Sequence, residues 1–315
     1  MTIDAAPYAG LGPDTVLDAV AAAGFEPDGR LLALGSYENR VYQVGVEDAA
    51  PLVAKFYRPG RWSDEAIDEE HAFAEELDEA ELPVVAPLVI DDESLLEHAG
   101  FRYALYPRRG GHAPELESAD HLAWMGRLIA RIHGVASRGH FGHRPGIDVE
   151  GYVSEPARAV LASDLLPGAL AGRYRAQSAS LAAALDARLA EIGPYTRIRL
   201  HGDCHAGNVL WTDAGPHFVD LDDARSGPAV QDLWMLAPSR RALDALLEGY
   251  GEFRDFDHRE LALIEPLRIM RQVSWAGWVA ARWHDPAFPR AFPYVGEARW
   301  WEQHCNDLAE AEAQM

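Results

Sequence analysis

The residues with the clearest chemical potential lie between His201 and Asp223. Asp203 stands five positions before Asn208, and Asp220, Asp222 and Asp223 follow the short apolar run Phe218-Val219. Phosphoryl transfer needs such parts: a carboxylate to orient or deprotonate an acceptor hydroxyl, and oxygen ligands to hold Mg²⁺ against the phosphates. Asp203 fits the acceptor base, Asn208 a metal ligand through its amide oxygen, and Asp220 the second ligand. Asn208-Val209-Leu210-Trp211 and His217-Phe218-Val219-Asp220 read as two strands joined by a turn, which would return Asp220 to the side of Asn208. A single Asp or Asn more often only closes a turn. The spacing, the hairpin and the Asp cluster together favour the chemical reading. A zinc site from His201, Cys204 and His205 is disfavoured, because they crowd one turn and lack a fourth ligand.

Other elements must position these groups. Between Leu31 and Tyr57, the alternating runs Arg40-Val41-Tyr42-Gln43-Val44 and Leu52-Val53-Ala54-Lys55-Phe56 flank the acidic turn Glu47-Asp48 and predict a β-hairpin. Ser63-Asp64 caps a predicted amphipathic helix running to Leu77. Pro83 to Ile90 and Phe101 to Tyr106 suggest two further strands. Lys55 lies in an apolar strand, where an unpaired ammonium is costly. It needs a carboxylate partner; Glu70 on the following helix is preferred, and Glu69 is the weaker candidate. Pro107 to His112 has the turn chemistry of a link. Beyond it helical periodicity prevails over 122–133, 157–166, 181–192, 243–250 and 261–283, and the alanine-rich 168–190 also reads as helix. The expected organisation is α+β, with a small sheet and a helix over residues 1–106 and a mainly helical part over 107–315.

The chain has 315 residues, 48% of them hydrophobic and 25% charged, as in a globular protein. A formal net charge of -22 argues against a nucleic-acid partner, whose binding requires clustered Lys and Arg. It would also repel anionic nucleotides, so an ATP site must supply its own basic groups and metal ions. The start Met1-Thr2-Ile3-Asp4-Ala5 lacks the basic and apolar stretches of a secretory signal, and no run reaches membrane-spanning length, so a cytoplasmic location without membrane contact is expected. The two cysteines, Cys204 and Cys305, form no disulfide framework or CxxC pattern.

The segments HGDCHAGNVLW (201–211) and FVDLDDARSGPAVQDLWM (218–235) resemble the aminoglycoside phosphotransferase and choline kinase superfamily, and within it the bacterial stress response kinases. GSYENRVY (35–42), VAKFYRPGRW (53–62), EEHAF (69–73) and EPLR (265–268) match the same pattern in order. The resemblance implies a two-lobed protein-kinase-like fold with ATP in the cleft. It makes Asp203 the catalytic residue, assisted by Asp220; Asn208 and Asp220 become the Mg²⁺ ligands, and Lys55 positions the phosphates with Glu70 as its partner. The implied acceptor is a Ser or Thr hydroxyl of a protein, with a small-molecule hydroxyl (aminoglycoside, choline or homoserine-like) as the alternative, and a monomer is expected.

Departures from ordinary protein kinases bear on regulation. Gly35-Ser36-Tyr37-Glu38-Asn39 replaces GxGxxG, with Ser36 the expected phosphate contact. His201-Gly202-Asp203 replaces HRD, and the chain passes from Asp220 through Pro228 to Asp232-Leu233-Trp234 without room for a long activation segment. No activation-loop switch is expected. His133 and Asp232 are read as supports of the catalytic loop, Cys204 as a buried inert thiol, and Trp275 and Trp278 as core packing. Arg268 and Arg271 could meet an acidic segment of a protein acceptor.

Overall fold

The computed structural model describes residues 7–315, which fall into two compact units. One comprises the chain up to Pro145 together with Arg197–Phe256; the other comprises Gly146–Thr196 and Asp257–Met315. Every candidate catalytic, phosphate-contacting or metal-ligating residue named above belongs to the first, while Arg268 and Arg271 belong to the second.

The first unit opens with α1 (Pro13–Ala22) and an antiparallel sheet of β1 (Pro27–Ala33), β2 (Arg40–Val46), β3 (Leu52–Phe56), β4 (Leu96–His98) and β5 (Phe101–Pro107), ordered β1-β2-β3-β5-β4. Strand alternation sorts β3 into two faces. Ala54 and Phe56 pack with Val16 and Val20 of α1 and with Tyr103 and Leu105 of β5 in one core. Lys55 must then project from the opposite face, level with Val41 on β2 and Ala104 on β5. The β2–β3 register thereby sets where the ammonium emerges.

Helix α2 (Asp64–Glu79) begins where Ser63 accepts the Ala66 amide, a cap worth about 1 kcal/mol. Its buried stripe includes Ile67, Glu70, His71, Phe73, Ala74 and Leu77, so the helix turns one carboxylate inward among apolar side chains. The strand expected over Pro83–Ile90 does not form. Two prolines remove amide donors, and the remaining bonds are divided: Val85 donates to Phe218 O and Leu88 to Leu105 O, so no ladder builds.

Helix α3 (Ala119–Ala136), capped by Ser118, packs on α7 (Arg240–Gly251). A side chain at Gly249 would collide with the Ala123 carbonyl, so glycine lets these helices approach closely. Short two-stranded ladders pair β6 (Ile198–Leu200) with β9 (Arg225–Gly227) and β7 (Val209–Thr212) with β8 (Gly215–Phe218), ahead of the single turn α6 (Gln231–Trp234).

The second unit is helical: α4 (Glu155–Ala162), α5 (Gly168–Ile192), α8 (Ile264–Ala281), α9 (Ala287–Ala291) and α10 (Ala298–Gln314). The alanine-rich stretch is the 25-residue α5. Trp278 packs on Phe288 with centroids 4.8 Å apart, and Trp275 on Phe292 at 5.5 Å. Arg268 pairs with Glu265 at 2.9 Å on α8. Among the described residues no helix is long and apolar enough to cross a membrane.

Candidate active site

Lys55 enters the site from β3. Its Nζ lies 3.2 Å from Glu70 Oε1, 3.1 Å from Asp220 Oδ1 and 3.3 Å from Asp222 Oδ1. Glu70, not Glu69, is therefore the α2 residue that Lys55 meets. Burial alone would depress the ammonium, but Asp222, Glu70 and Asp220 outweigh it and hold its pKa well above the ordinary lysine value. The lysine is charged throughout the physiological range. Burial likewise tends to raise the Asp222 carboxyl, yet Arg61 and Lys55 prevail and keep it below the usual range.

Two arginines complete this network. Arg144, whose side chain is fully buried, places Nη2 2.9 Å from Glu70 Oε2 and donates through Nη1 to the carbonyls of Asp222 and Ala224. Arg61 pairs with Asp222 and, at 2.8 Å, with Asp223. Glu69 has a different use: its carboxylate accepts the amides of Gly142, His143 and Arg144, at 2.5, 2.9 and 2.9 Å. Helix α2 is thus fastened at two successive residues.

The loop after β6 carries Asp203. Asp232 accepts the amides of His201 and Gly202 at 2.8 and 2.9 Å. His133, fully buried, meets the Asp232 carboxylate at 3.2 Å and the Tyr250 hydroxyl at 3.0 Å. Gly202 has φ +84°, and a side chain there would run into the Asp223 carbonyl, which makes glycine necessary at the turn. The Asp203 carbonyl accepts the His205 amide at 2.9 Å and Asn208 Nδ2 at 3.0 Å. With its amide nitrogen so engaged, Asn208 keeps its oxygen for another partner. The Val219 amide donates to Asn208 O at 3.0 Å, which sets Asp220 beside Asn208 across the β7–β8 hairpin. Asp220 itself has φ +63° and ψ +70°, a left-handed conformation that costs about 1 kcal/mol outside glycine and is typical of functional positions.

A cavity of about 490 Å³ unites these parts. Val41 and Val53 from the sheet and Leu210 and Val219 from the hairpin supply apolar walls, while Ser36, Lys55, Asn208 and Asp220 supply its polar end. Asp203 does not line it and is tied to it through Asn208. The loop holding Ser36 is braced from behind: Glu38 O accepts the Tyr8 hydroxyl at 2.9 Å and Arg58 Nε at 3.0 Å, and Asn39 Oδ1 accepts the Arg58 amide at 3.1 Å. Among the described residues no three His, Cys, Asp or Glu side chains form a metal site by themselves. Asn208 and Asp220 provide two hard oxygen donors facing a cavity. That suits a cation that takes its other ligands from phosphate and water.

Several contributors escaped sequence reading. Arg144 sits 74 positions from Glu70 in an irregular segment and carries no local signal. Arg58 and Arg61 lie inside VAKFYRPGRW and were visible only as part of a motif. Asp222 was legible as one of a cluster, but its pairing with Lys55 was not. Cys204 is buried, and burial, followed by the charges of Asp232 and Asp203, pushes its thiol well above the ordinary value, so it is not a nucleophile here.

His71, also in the cavity lining, supplies a pH prediction. It lies 2.7 Å from the Tyr57 hydroxyl and 2.8 Å from Ser94 Oγ. Burial first, then the charges of Lys55 and Arg144, lowers its pKa from 6.5 to about 3. Between those values the unfolded chain binds a proton that the folded chain refuses, so the stability held above pH 6.5 is lost as pH falls. The slope is about 1.4 kcal/mol per pH unit. Denaturant titrations at pH 7 and pH 5 are expected to show His71→Gln losing roughly 2 kcal/mol less than the wild type over that interval. Equal losses would remove His71 as the cause.

The geometry can be set beside known proteins. Residues 30–264 match the sequence profile described as "Phosphotransferase enzyme family". The chain is 45% identical over 308 residues to "Stress response kinase A" of Escherichia coli (strain K12), covering 96% of this chain and 93% of that protein. It is 44% identical over 306 residues to "Serine/threonine protein kinase RdoA" of Salmonella typhimurium (strain LT2), covering 95% and 92%. Among solved structures, the amicoumacin kinase hAmiN in complex with AMP-PNP, Ca²⁺ and Ami is similar in fold, with a TM-score of 0.71, 17% identity, and coverage of 94% of this chain and 92% of that one. The fold is of the aminoglycoside phosphotransferase type, with a five-stranded antiparallel sheet in the N-terminal part and helices dominating the C-terminal part.

Proposed function

The chain belongs to the phosphotransferase enzyme family as an ATP-dependent kinase, and from that premise we propose that it is a Mg²⁺-dependent serine/threonine protein kinase of the stress response type. The observation that carries the chemistry is the meeting of Lys55 with Asp220 at 3.1 Å beside the hairpin that carries Asn208. Such a cluster offers a cation to phosphate oxygens and two oxygen ligands to a metal at the polar end of the cavity.

In this reading the base of ATP occupies the apolar walls, and its phosphates lie along Ser36 and Lys55. Asn208 and Asp220 would hold Mg²⁺, which would supply charge neutralisation at the phosphates. Asp203 orients the acceptor hydroxyl and takes its proton as the acceptor oxygen bonds to the γ-phosphorus and the bond to the ADP oxygen breaks. Glu70, fixed by Arg144, keeps Lys55 in place, and the Glu69 clamp holds α2 without a phosphorylated segment. These contacts agree with a kinase that is active without prior phosphorylation. A cytoplasmic location, where ATP and Mg²⁺ are supplied, fits the same reading.

The protein acceptor rests on the names of the relatives, which carry "kinase" with "stress response" or "serine/threonine protein". A small-molecule hydroxyl is the second reading, favoured by the fold shared with an amicoumacin kinase. Incubation with labelled ATP and Mg²⁺, alone, with a proteome extract and with a panel of amino alcohols and aminoglycosides, separates them. Label on seryl or threonyl residues supports the protein kinase. Transfer confined to the small-molecule panel overturns it.

A further inference from the structure

We propose that Arg61 is a positioning residue for Lys55: by holding the Asp222 carboxylate, it keeps the ammonium open to a phosphate oxygen. The proposal rests on Lys55 being the residue that meets the phosphates of ATP. Lys55 is the only lysine of the chain, and all the others among its 28 Lys and Arg residues are arginines. The two cations differ in use. A guanidinium fork fixes a planar partner, whereas an ammonium turns three donors about one atom on a flexible stem and can exchange partners. Two of the three Lys55 donors are taken, by Glu70 at 3.2 Å and by Asp220 at 3.1 Å. Asp222 Oδ1 lies 3.3 Å from Nζ, yet it accepts no hydrogen bond among the described residues. The third donor is uncommitted.

What leaves it so is the arginine on the other oxygen. Arg61 Nη1 donates to Asp222 Oδ2, and Nη2 donates to Asp223 Oδ1 at 2.8 Å. Both buried carboxylates beside Lys55 thus have an arginine of their own, Arg144 on Glu70 at 2.9 Å and Arg61 on Asp222. Asp220, half exposed, pairs with no arginine among the described residues, and it is the carboxylate assigned to the metal. Without Arg61, the Asp222 carboxylate keeps Lys55 as its one ion-pair partner among the described residues. A buried charge so placed is costly, and the third donor turns to it. Arg61 is itself held: its amide donates to Arg58 O at 3.3 Å, and the Arg58 side chain donates to the carbonyls of Tyr37 and Glu38 at 3.3 and 3.0 Å. The cation that occupies Asp222 therefore sits on the turn that braces the loop of Ser36.

Calorimetric titration of a non-hydrolysable ATP analogue with Mg²⁺ onto the full chain tests this. Arg61→Gln is expected to weaken the analogue on the order of tenfold, the worth of one charge-assisted hydrogen bond, and Arg61→Lys, which keeps a cation, to stay within a few fold of wild type. Adding Asp222→Asn to Arg61→Gln should restore the affinity to within a few fold, and adding Asp223→Asn instead should not. The two double variants carry the same net charge and differ in whether the neutralised group faces Lys55. Their comparison stands even where Arg61→Gln alone folds poorly.

The ammonium can also be read directly. Protein made with isotopically labelled lysine has a single lysine side-chain signal in magnetic resonance, because Lys55 stands alone. Arg61→Gln should shift that signal in the nucleotide-free protein, and Arg61→Lys should leave it near its wild-type position. Equal affinities in the two double variants, wild-type affinity in Arg61→Gln, or an unmoved lysine signal there overturns the proposal. Lys55→Met, run alongside, keeps the two claims apart. Wild-type affinity in Lys55→Met removes the phosphate role of Lys55 itself, whereas weakened binding there beside an unaffected Arg61→Gln removes only the role of Arg61.

Discussion

Asp203→Asn is expected to lower phosphoryl transfer by roughly 10²- to 10⁴-fold, while nucleotide affinity and melting temperature stay near wild type. The loop is shaped by bonds that this substitution preserves: Asp232 holds the amides of His201 and Gly202, and the Asp203 carbonyl holds Asn208. Asparagine matches aspartate in size, and the residue does not line the cavity assigned to ATP. What disappears is the carboxylate that would receive the acceptor's proton. Labelled-ATP transfer, analogue binding and thermal melting on one preparation check all three parts. A variant that transfers phosphate at the wild-type rate would remove Asp203 from the chemistry.

Lys55→Met should behave differently, because there the fold and the site share one side chain. Lys55, Glu70 and Asp222 have side-chain exposures of 7%, 4% and 5%, so removing the ammonium leaves two carboxylates buried with fewer cations. Breaking such a cluster costs about 3–5 kcal/mol, and the surviving contacts of Arg144 and Arg61 place the expected value near the lower end. A loss of about 3 kcal/mol corresponds to a fall in Tm of roughly 6–12 °C for a domain of this size. Transfer should fall along with it. Lys55→Met combined with Glu70→Gln should recover part of the stability and none of the activity, since one buried carboxylate is neutralised while an amide oxygen still accepts from Arg144 Nη2, and the phosphate contact is not restored. Full stability in the single variant would contradict the assigned burial of this cluster.

Those two predictions draw on features of unequal visibility in the chain. Asp203, Asn208 and Asp220 stand in one short stretch with a hairpin pattern between them, and local order was enough to bring them together. Lys55 was legible through cost: an ammonium in an apolar strand demands a carboxylate, and Glu70 was the preferred choice on the next helix. Glu69 shows the limit of that reasoning. It is adjacent in sequence yet turns about 100° around the helix and binds three amides elsewhere.

Where the fold depended on long-range pairing, the residues said less. β4 is only three residues long, Leu96–His98, and too short for alternation to register. The extended segment at Pro83–Ile90 looked like a strand by composition, but its prolines divide its bonds between two neighbours. Arg144 has no periodic neighbours and gains its meaning only when α2 and the Asp222 carbonyl arrive beside it. The amphipathic helices were visible because their apolar stripes repeat, and their ends moved by a few residues where caps decided the boundary, as at Ser118 and Ser239.

The central claim is that Asn208 and Asp220 form the metal-binding edge of an ATP site completed by Lys55. Calorimetric titration of a non-hydrolysable ATP analogue with and without Mg²⁺, on the wild type, Asn208→Ala and Asp220→Asn, tests it most directly. The wild type should bind the analogue more tightly with Mg²⁺, by on the order of tenfold or more, and that gain should vanish in Asp220→Asn and shrink in Asn208→Ala. An equal Mg²⁺ gain in all three proteins would contradict the assignment.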